Sequence, residues 1–81
     1  MLRAIEKLVA FGPLLPFPHS SQVKGTPLRE LRPRAGRSPW RAFYVRVGER
    51  LLIGAIGPEA KHDPHGFAAA VRRATSRLKN P

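Results

Sequence analysis

The chain has 81 residues, a formal charge of +10 from fifteen lysines and arginines against five acidic residues, and no cysteine. That length holds one domain with a modest core, the missing cysteines exclude disulfides and thiolate zinc sites, and no run of eighteen apolar residues is present to span a membrane. Glu6 and Lys7 interrupt the opening stretch where a secretion signal needs unbroken apolar residues, so a cytoplasmic protein with no membrane partner is expected.

Apolar residues at Leu2, Ile5, Leu8 and Val9 follow helical spacing, and Gly12 with Pro13 forms a stop signal. This predicts a helix from about Leu2 to Phe11, within residues 1–12. Residues 13–27 carry Pro13, Pro16, Pro18 and Pro27, which forbid a long helix or a central strand, and read as an extended linker. Residues 28–57 read as an antiparallel meander of about three strands. The first is a short strand from Leu28 with Leu31 opposite in direction to Glu30 and Arg32, and a loop with Gly36 and Pro39 follows it. "WRAFYVRV" then has the aromatic and β-branched residues of a strand. After a tight turn at Gly48 and Glu49, "RLLIGAIG" is apolar on both faces, the pattern of a central, well-covered strand. Asp63 and Pro64 supply an N-cap and a first-turn proline for a helix over residues 63–79, whose apolar stripe is Phe67, Ala70, Val71, Ala74 and Leu78. The expectation is a single α+β domain over residues 1–81, a small antiparallel sheet with both helices on one face and the other face left open.

The charge is concentrated. Leu28 to Val47 holds six arginines in twenty residues, Arg29, Arg32, Arg34, Arg37, Arg41 and Arg46, and no lysine. Burying unpaired guanidinium is costly, so most of them must face solvent or a ligand. As single residues they read as an ordinary charged surface. As a set they favour phosphate, to which guanidinium donates in a planar, bidentate way. The positive excess draws a polyanion by long-range attraction and counterion release, and by itself fits RNA, DNA, an anionic membrane or an acidic protein. Trp40, Phe43 and Tyr44 lie among the arginines, and aromatic rings so placed can stack bases of single-stranded RNA; one of Phe43 and Tyr44, not both, is expected in the core.

Three features in order, "LRELR" (Leu28 to Arg32), "RAFY" (Arg41 to Tyr44) and "LLIGAIGPEAKHDP" leading into "FAAAVRRATSRL", resemble the HigB-like toxins of phage-derived type within the RelE/ParE toxin superfamily. The likeness runs from about Val23 to Leu78, and "AIEKLVAFGP" resembles that family's second helix. The resemblance implies a toxin of a toxin–antitoxin pair, a messenger-RNA endonuclease acting on the ribosome and restrained by a small antitoxin of helix-turn-helix type. It implies no metal and no cofactor. The reaction so implied is attack of a ribose 2′-hydroxyl on the adjacent phosphodiester, which needs charge stabilisation on phosphate and proton transfer at two oxygens.

Carried over by position, the resemblance gives Arg32 and Arg41 the scissile phosphate, and Phe67 the place of a tyrosine in or near the active site of some members. Pro58 and Glu59 stand where many relatives have two consecutive basic residues, and a carboxylate there is expected to repel phosphate. Lys61 and His62 follow, His62 being the expected proton-transfer residue because imidazole titrates near neutrality. Lys24, Arg29, Arg34, Arg37 and Arg46, with Trp40, complete the expected RNA-binding set. Relatives begin with a strand and a further helix ahead of the helix seen here, so a shortened member with an uncovered sheet edge is expected. Two other readings stay open: a non-catalytic relative that binds RNA, ribosome or antitoxin through the same basic face, and the gyrase-inhibiting branch of the superfamily. The RNA reading expects the hairpin guanidiniums to converge on a single polyribonucleotide strand. Scattered guanidiniums, or guanidiniums consumed in internal ion pairs, would oppose it.

Overall fold

Four antiparallel strands lie side by side in chain order, with one helix against each face of the sheet. The computed structural model describes residues 1–11 and 15–79; the stop signal at Gly12 and Pro13 falls outside them. Helix α1 is Leu2–Phe11. The strands are β1 (Ser20–Gln22), β2 (Arg29–Leu31), β3 (Trp40–Val47) and β4 (Arg50–Pro58), and helix α2 is Pro64–Leu78. A tight turn at Pro33–Gly36 links β2 to β3.

The α+β class is as expected, but the helices, expected together on one face, divide between the two. Alternation along β3 explains how. Phe43 points to a cluster with Val23, Leu28, Ala55, Ala70 and Ala74 under α2, while Ala42 and Tyr44 point to a cluster with Leu8, Leu15 and Leu31 under α1. Phe43 and Tyr44 are therefore both buried, contrary to the expectation that only one would be, because neither face is left wholly to solvent. Buried Tyr44 keeps its hydroxyl satisfied against Ser20 Oγ at 2.6 Å.

Helix α2 begins as its signals require: the Asp63 side chain accepts a hydrogen bond from the Gly66 N–H at 2.9 Å, and Pro64 occupies the first turn. Its stripe of Phe67, Ala70, Val71, Ala74 and Leu78 packs on the sheet. Two glycines of β4 admit it closely. A Cβ on Gly54 would lie 2.8 Å from the Ala74 Cα, and Gly54 is the residue skipped where the β3–β4 register shifts between Phe43 and Tyr44, a β-bulge. Gly57 faces Ala70 in the same way.

Two strands differ from their sequence reading. The linker contains β1, which pairs with β2 at the sheet's outer edge, a position where neighbouring prolines are tolerated. β4 is the opposite edge and not a central strand. Its apolar residues do face both ways, but α1 lies over β2 and the Pro33–Gly36 turn, leaving Ile53 and Ile56 exposed on the side away from α2. Among the described residues no helix is long and apolar enough to cross a membrane.

Candidate nucleic-acid interface

Contrary to the expectation of convergence, the hairpin arginines lie on different sides of the sheet, and Arg32 and Arg41 are held in internal ion pairs; what the α2 side gathers is two of them with two lysines. β2 turns Arg29 and Leu31 toward the α1 side and Glu30 toward the α2 side, and register places Arg29 opposite Tyr44 and Glu30 opposite Phe43. Arg29 donates from Nε to Ser20 Oγ at 3.0 Å. Arg46 and Trp40, which alternate with Ala42 and Tyr44 along β3, share the α1 side, both exposed. Arg34 and Arg37 flank the tight turn.

On the α2 side a cleft of about 450 Å³ gathers Gln22, Lys24, Glu30, Arg32, Arg41, Glu59, Lys61 and Phe67. Lys24 comes from the β1–β2 turn, Arg32 from the end of β2, Arg41 from β3, Lys61 from the loop after β4 and Phe67 from α2. Phe67 packs edge-on against Phe43, ring centroids 5.3 Å apart, so it forms the wall between core and cleft. His62 does not line this cleft; it is exposed in the turn before α2.

Four of these side chains form an alternating chain of charge. Arg32 donates to Glu30 Oε1 at 2.9 Å, the same oxygen lies 3.9 Å from Arg41 Nε, and Arg41 donates to Glu59 Oε2 at 2.7 Å. Glu30 also accepts from Ser21 Oγ at 3.0 Å. Arg41 is only 2% exposed, and its remaining hydrogen bonds go to the carbonyls of Ser38 (2.6 Å), Trp40 (2.9 Å) and Gly36 (3.4 Å). Its buried Nε–H has no hydrogen-bond partner among the described residues, since 3.9 Å is too long for one. Burial, and after it the neighbouring Arg32 charge, lowers the Arg41 guanidinium below its ordinary value, while Glu30 and Glu59 pull the other way; guanidinium nevertheless stays protonated at neutral pH. Arg41 is thus a buttress that holds Glu59 and the loop ahead of β3, and it is not free to meet a phosphate. Glu59, expected to repel phosphate, has its charge answered by Arg41.

Glu30 is a cleft residue that sequence reasoning passed over, and Glu59 is one that it read only as repelling phosphate. The two-residue alternation carried the signal for Glu30: it puts Glu30 and Arg32 on one side of β2, and pairing with β3 brings that side to Arg41. Nothing local signals Glu59, eighteen residues from Arg41.

No group of three or more His, Asp or Glu side chains able to hold a metal ion occurs among the described residues. The family model described as Phage derived protein Gp49-like (DUF891) matches residues 1–56, a span with Glu30, Arg32 and Arg41 inside it and Glu59, Lys61 and α2 beyond it. No curated protein and no solved structure matches the chain.

Proposed function

The chain belongs to the Gp49-like phage-derived family, and we propose that it is a toxin-like protein that cuts single-stranded messenger RNA by 2′-hydroxyl attack in the α2-side cleft. The observation that carries this reading is the meeting, in one cavity, of four cations, an aromatic wall and a carboxylate fixed by Arg41. Lys24, Arg32 and Lys61 hold the scissile phosphate. Glu59 takes the proton of the attacking 2′-hydroxyl. Lys61 returns a proton to the departing 5′-oxygen, so the bond from phosphorus to that oxygen breaks as a 2′,3′-cyclic phosphate forms. Phe67 offers a ring against which a base can stack. Arg41 positions Glu59, and proton transfer falls to the carboxylate and the ammonium because His62 stands outside the cleft. Action on the ribosome and restraint by a small antitoxin belong to the same proposal, supported by the resemblance to HigB-like toxins.

The test is incubation of the purified protein with ribosome-bound messenger RNA, scoring new 5′-hydroxyl and 2′,3′-cyclic phosphate ends. Glu59→Gln is expected to slow cleavage by about 10²–10⁴-fold, the usual contribution of a positioned acid or base, with RNA affinity retained. Absence of such ends with the parent protein removes the proposed chemistry.

One observation favours a second reading, in which the protein binds RNA and leaves it intact. Glu30 and Glu59 already answer Arg32 and Arg41, so among the described residues the cations of the cleft without a carboxylate partner are Lys24 and Lys61. On this reading growth arrest follows from occupancy, and the bound RNA is recovered at full length.

A further inference from the structure

A second and larger cavity, about 620 Å³, opens on the other side of the sheet between α1 and the Pro33–Gly36 turn. Arg3, Lys7, Arg32, Arg34 and Arg37 line it with His19, over a floor that includes Leu15 and Leu31, and among the described residues no carboxylate lines it. Among the described residues none of Arg3, Lys7, Arg34 and Arg37 is in an ion pair. Four unanswered cations around one apolar-floored cavity are mutually repulsive, and nothing in the fold requires them to meet there.

The turn that presents two of them is strained. Arg34 and Ala35 have φ of 56° and 55°, in the left-handed region that non-glycine residues avoid, followed by Gly36 at φ 90°. The strain is held in place: the Arg34 carbonyl accepts from both the backbone N–H and the Nε–H of Arg37, each at 3.1 Å, and buried Arg41 reaches the Gly36 carbonyl from the other side. Glycine suits position 36 because its φ of 90° is one that residues with a Cβ rarely adopt; a Cβ there would also displace the tip of the Arg32 side chain, 2.7 Å away. Arg32 lines both cavities, and its guanidinium sits 5.0 Å from the ring centroid of Phe17, which is 68% exposed.

We infer that this cavity is a second nucleotide-binding site, taking the phosphates and a base of the same RNA strand after it passes Arg32 and Phe17 at the end of β2. The inference rests on the reading that the chain acts on single-stranded RNA. Guanidiniums suit phosphodiester oxygens, the apolar floor suits a base face, and the volume lies within the range of about 300–1,000 Å³ usual for small-ligand sites. An acidic peptide fits less well: β2 beneath the cavity is already paired with β1 and β3, so no free strand edge is offered for main-chain hydrogen bonding. Two sites joined by Arg32 would bind a strand of several nucleotides far better than a dinucleotide that fills the cleft alone.

The experiment uses a fluorescein-labelled 2′-O-methyl RNA decamer, which the proposed chemistry cannot cut, and follows anisotropy across a salt series. Arg3→Glu with Lys7→Glu, two exposed positions on α1, is expected to weaken binding at least tenfold and to flatten the plot of log affinity against log salt by about 1.4, two phosphate contacts at about 0.7 each. Arg37→Gln, made from the turn side, is expected to act in the same direction. A folded double variant that keeps the parent's affinity and slope overturns the second site. So does a polyglutamate peptide that displaces the decamer from the parent but not from the double variant. Lys24→Ala with Lys61→Ala separates the two ideas. Loss of cleavage with only a modest loss of decamer binding supports both; a parent protein that binds no decamer and cuts no messenger RNA sinks the RNA reading itself, whatever the cavity does.

Discussion

The cleft and the cavity use the same residue types to opposite ends. In the cleft each arginine has a carboxylate, and the charges run Arg32, Glu30, Arg41, Glu59; in the cavity Arg3, Lys7, Arg34 and Arg37 have none among the described residues. Compensated cations hold groups in place and contribute little net attraction to a polyanion. Uncompensated ones supply attraction and on-rate. A formal charge of +10 is therefore a poor guide to where chemistry occurs, because the arginines that shape a site can be those whose charge is already cancelled.

The sharpest way to break this contrast is to remove one arginine from each region. Arg41→Leu deletes a guanidinium 2% exposed, frees three backbone carbonyls and strands Glu59, and is expected to cost about 3–5 kcal/mol, the range for breaking a buried pair. Arg37→Leu, exposed beside the cavity, loses one exposed hydrogen bond to the Arg34 carbonyl and is expected to cost about 1 kcal/mol or less. Guanidinium chloride denaturation of both variants checks the difference. Equal losses would mean that the cleft arginine is no more structural than the cavity arginine.

A smaller effect tests whether buried polar chemistry counts for less on the α1 side, where it centres on a pair of hydroxyls, than on the α2 side, where it is a chain of ion pairs. The buried polar contact there is Tyr44 to Ser20 at 2.6 Å, with Arg29 also donating to the Ser20 oxygen. Because Ser20 keeps that second partner, Tyr44→Phe is expected to cost only about 1 kcal/mol, one net hydrogen bond, measured as a shift in the denaturation midpoint. A loss as large as that of Arg41→Leu would show that both faces depend equally on their buried polar groups.

Local signals made the helices legible. Leu2–Phe11 and the Asp63 cap with the stripe from Phe67 to Leu78 stand in the chain as neighbouring residues whose spacing states their period. β1 was hidden because three residues between prolines become a strand only through pairing with β2, a contact that depends on residues further along the chain. β4 looked central because Leu51, Leu52, Ile53 and Ile56 are apolar in both directions; that pattern says nothing about how far α1 extends, and α1 stops over β2. The same limit applied to the sites. Residue type and resemblance brought forward Lys24, Arg32, Arg41, Lys61 and Phe67, all of which line the cleft. The role of Arg41 depended on Glu30 and Glu59, eleven and eighteen residues away, so Glu59 read as an obstacle until its distance to Arg41 was known. The cavity was less legible still, since Arg3 and Lys7 belong to α1 and meet Arg34 and Arg37 only through tertiary packing.

The smallest expected effect has the opposite sign and bears on why the turn is strained at all. Arg34 holds a φ of 56°, a conformation that costs a residue with a Cβ about 1–2 kcal/mol and glycine almost nothing. Glycine gives part of this back through the greater freedom of its unfolded chain, roughly 0.5–1 kcal/mol. Arg34→Gly should therefore leave the protein as stable as the parent, or more stable by about 0.5–1 kcal/mol, while the RNA decamer binds more weakly because a cavity cation is gone. Denaturation and anisotropy on the same preparation check the two halves together. If the glycine variant is both more stable and equally tight, the arginine has no binding role to set against its strain. If it is clearly less stable, the Arg34 side chain supports the fold, and the division between an internally paired cleft and an unanswered cavity fails at the residue where it is most exposed to test.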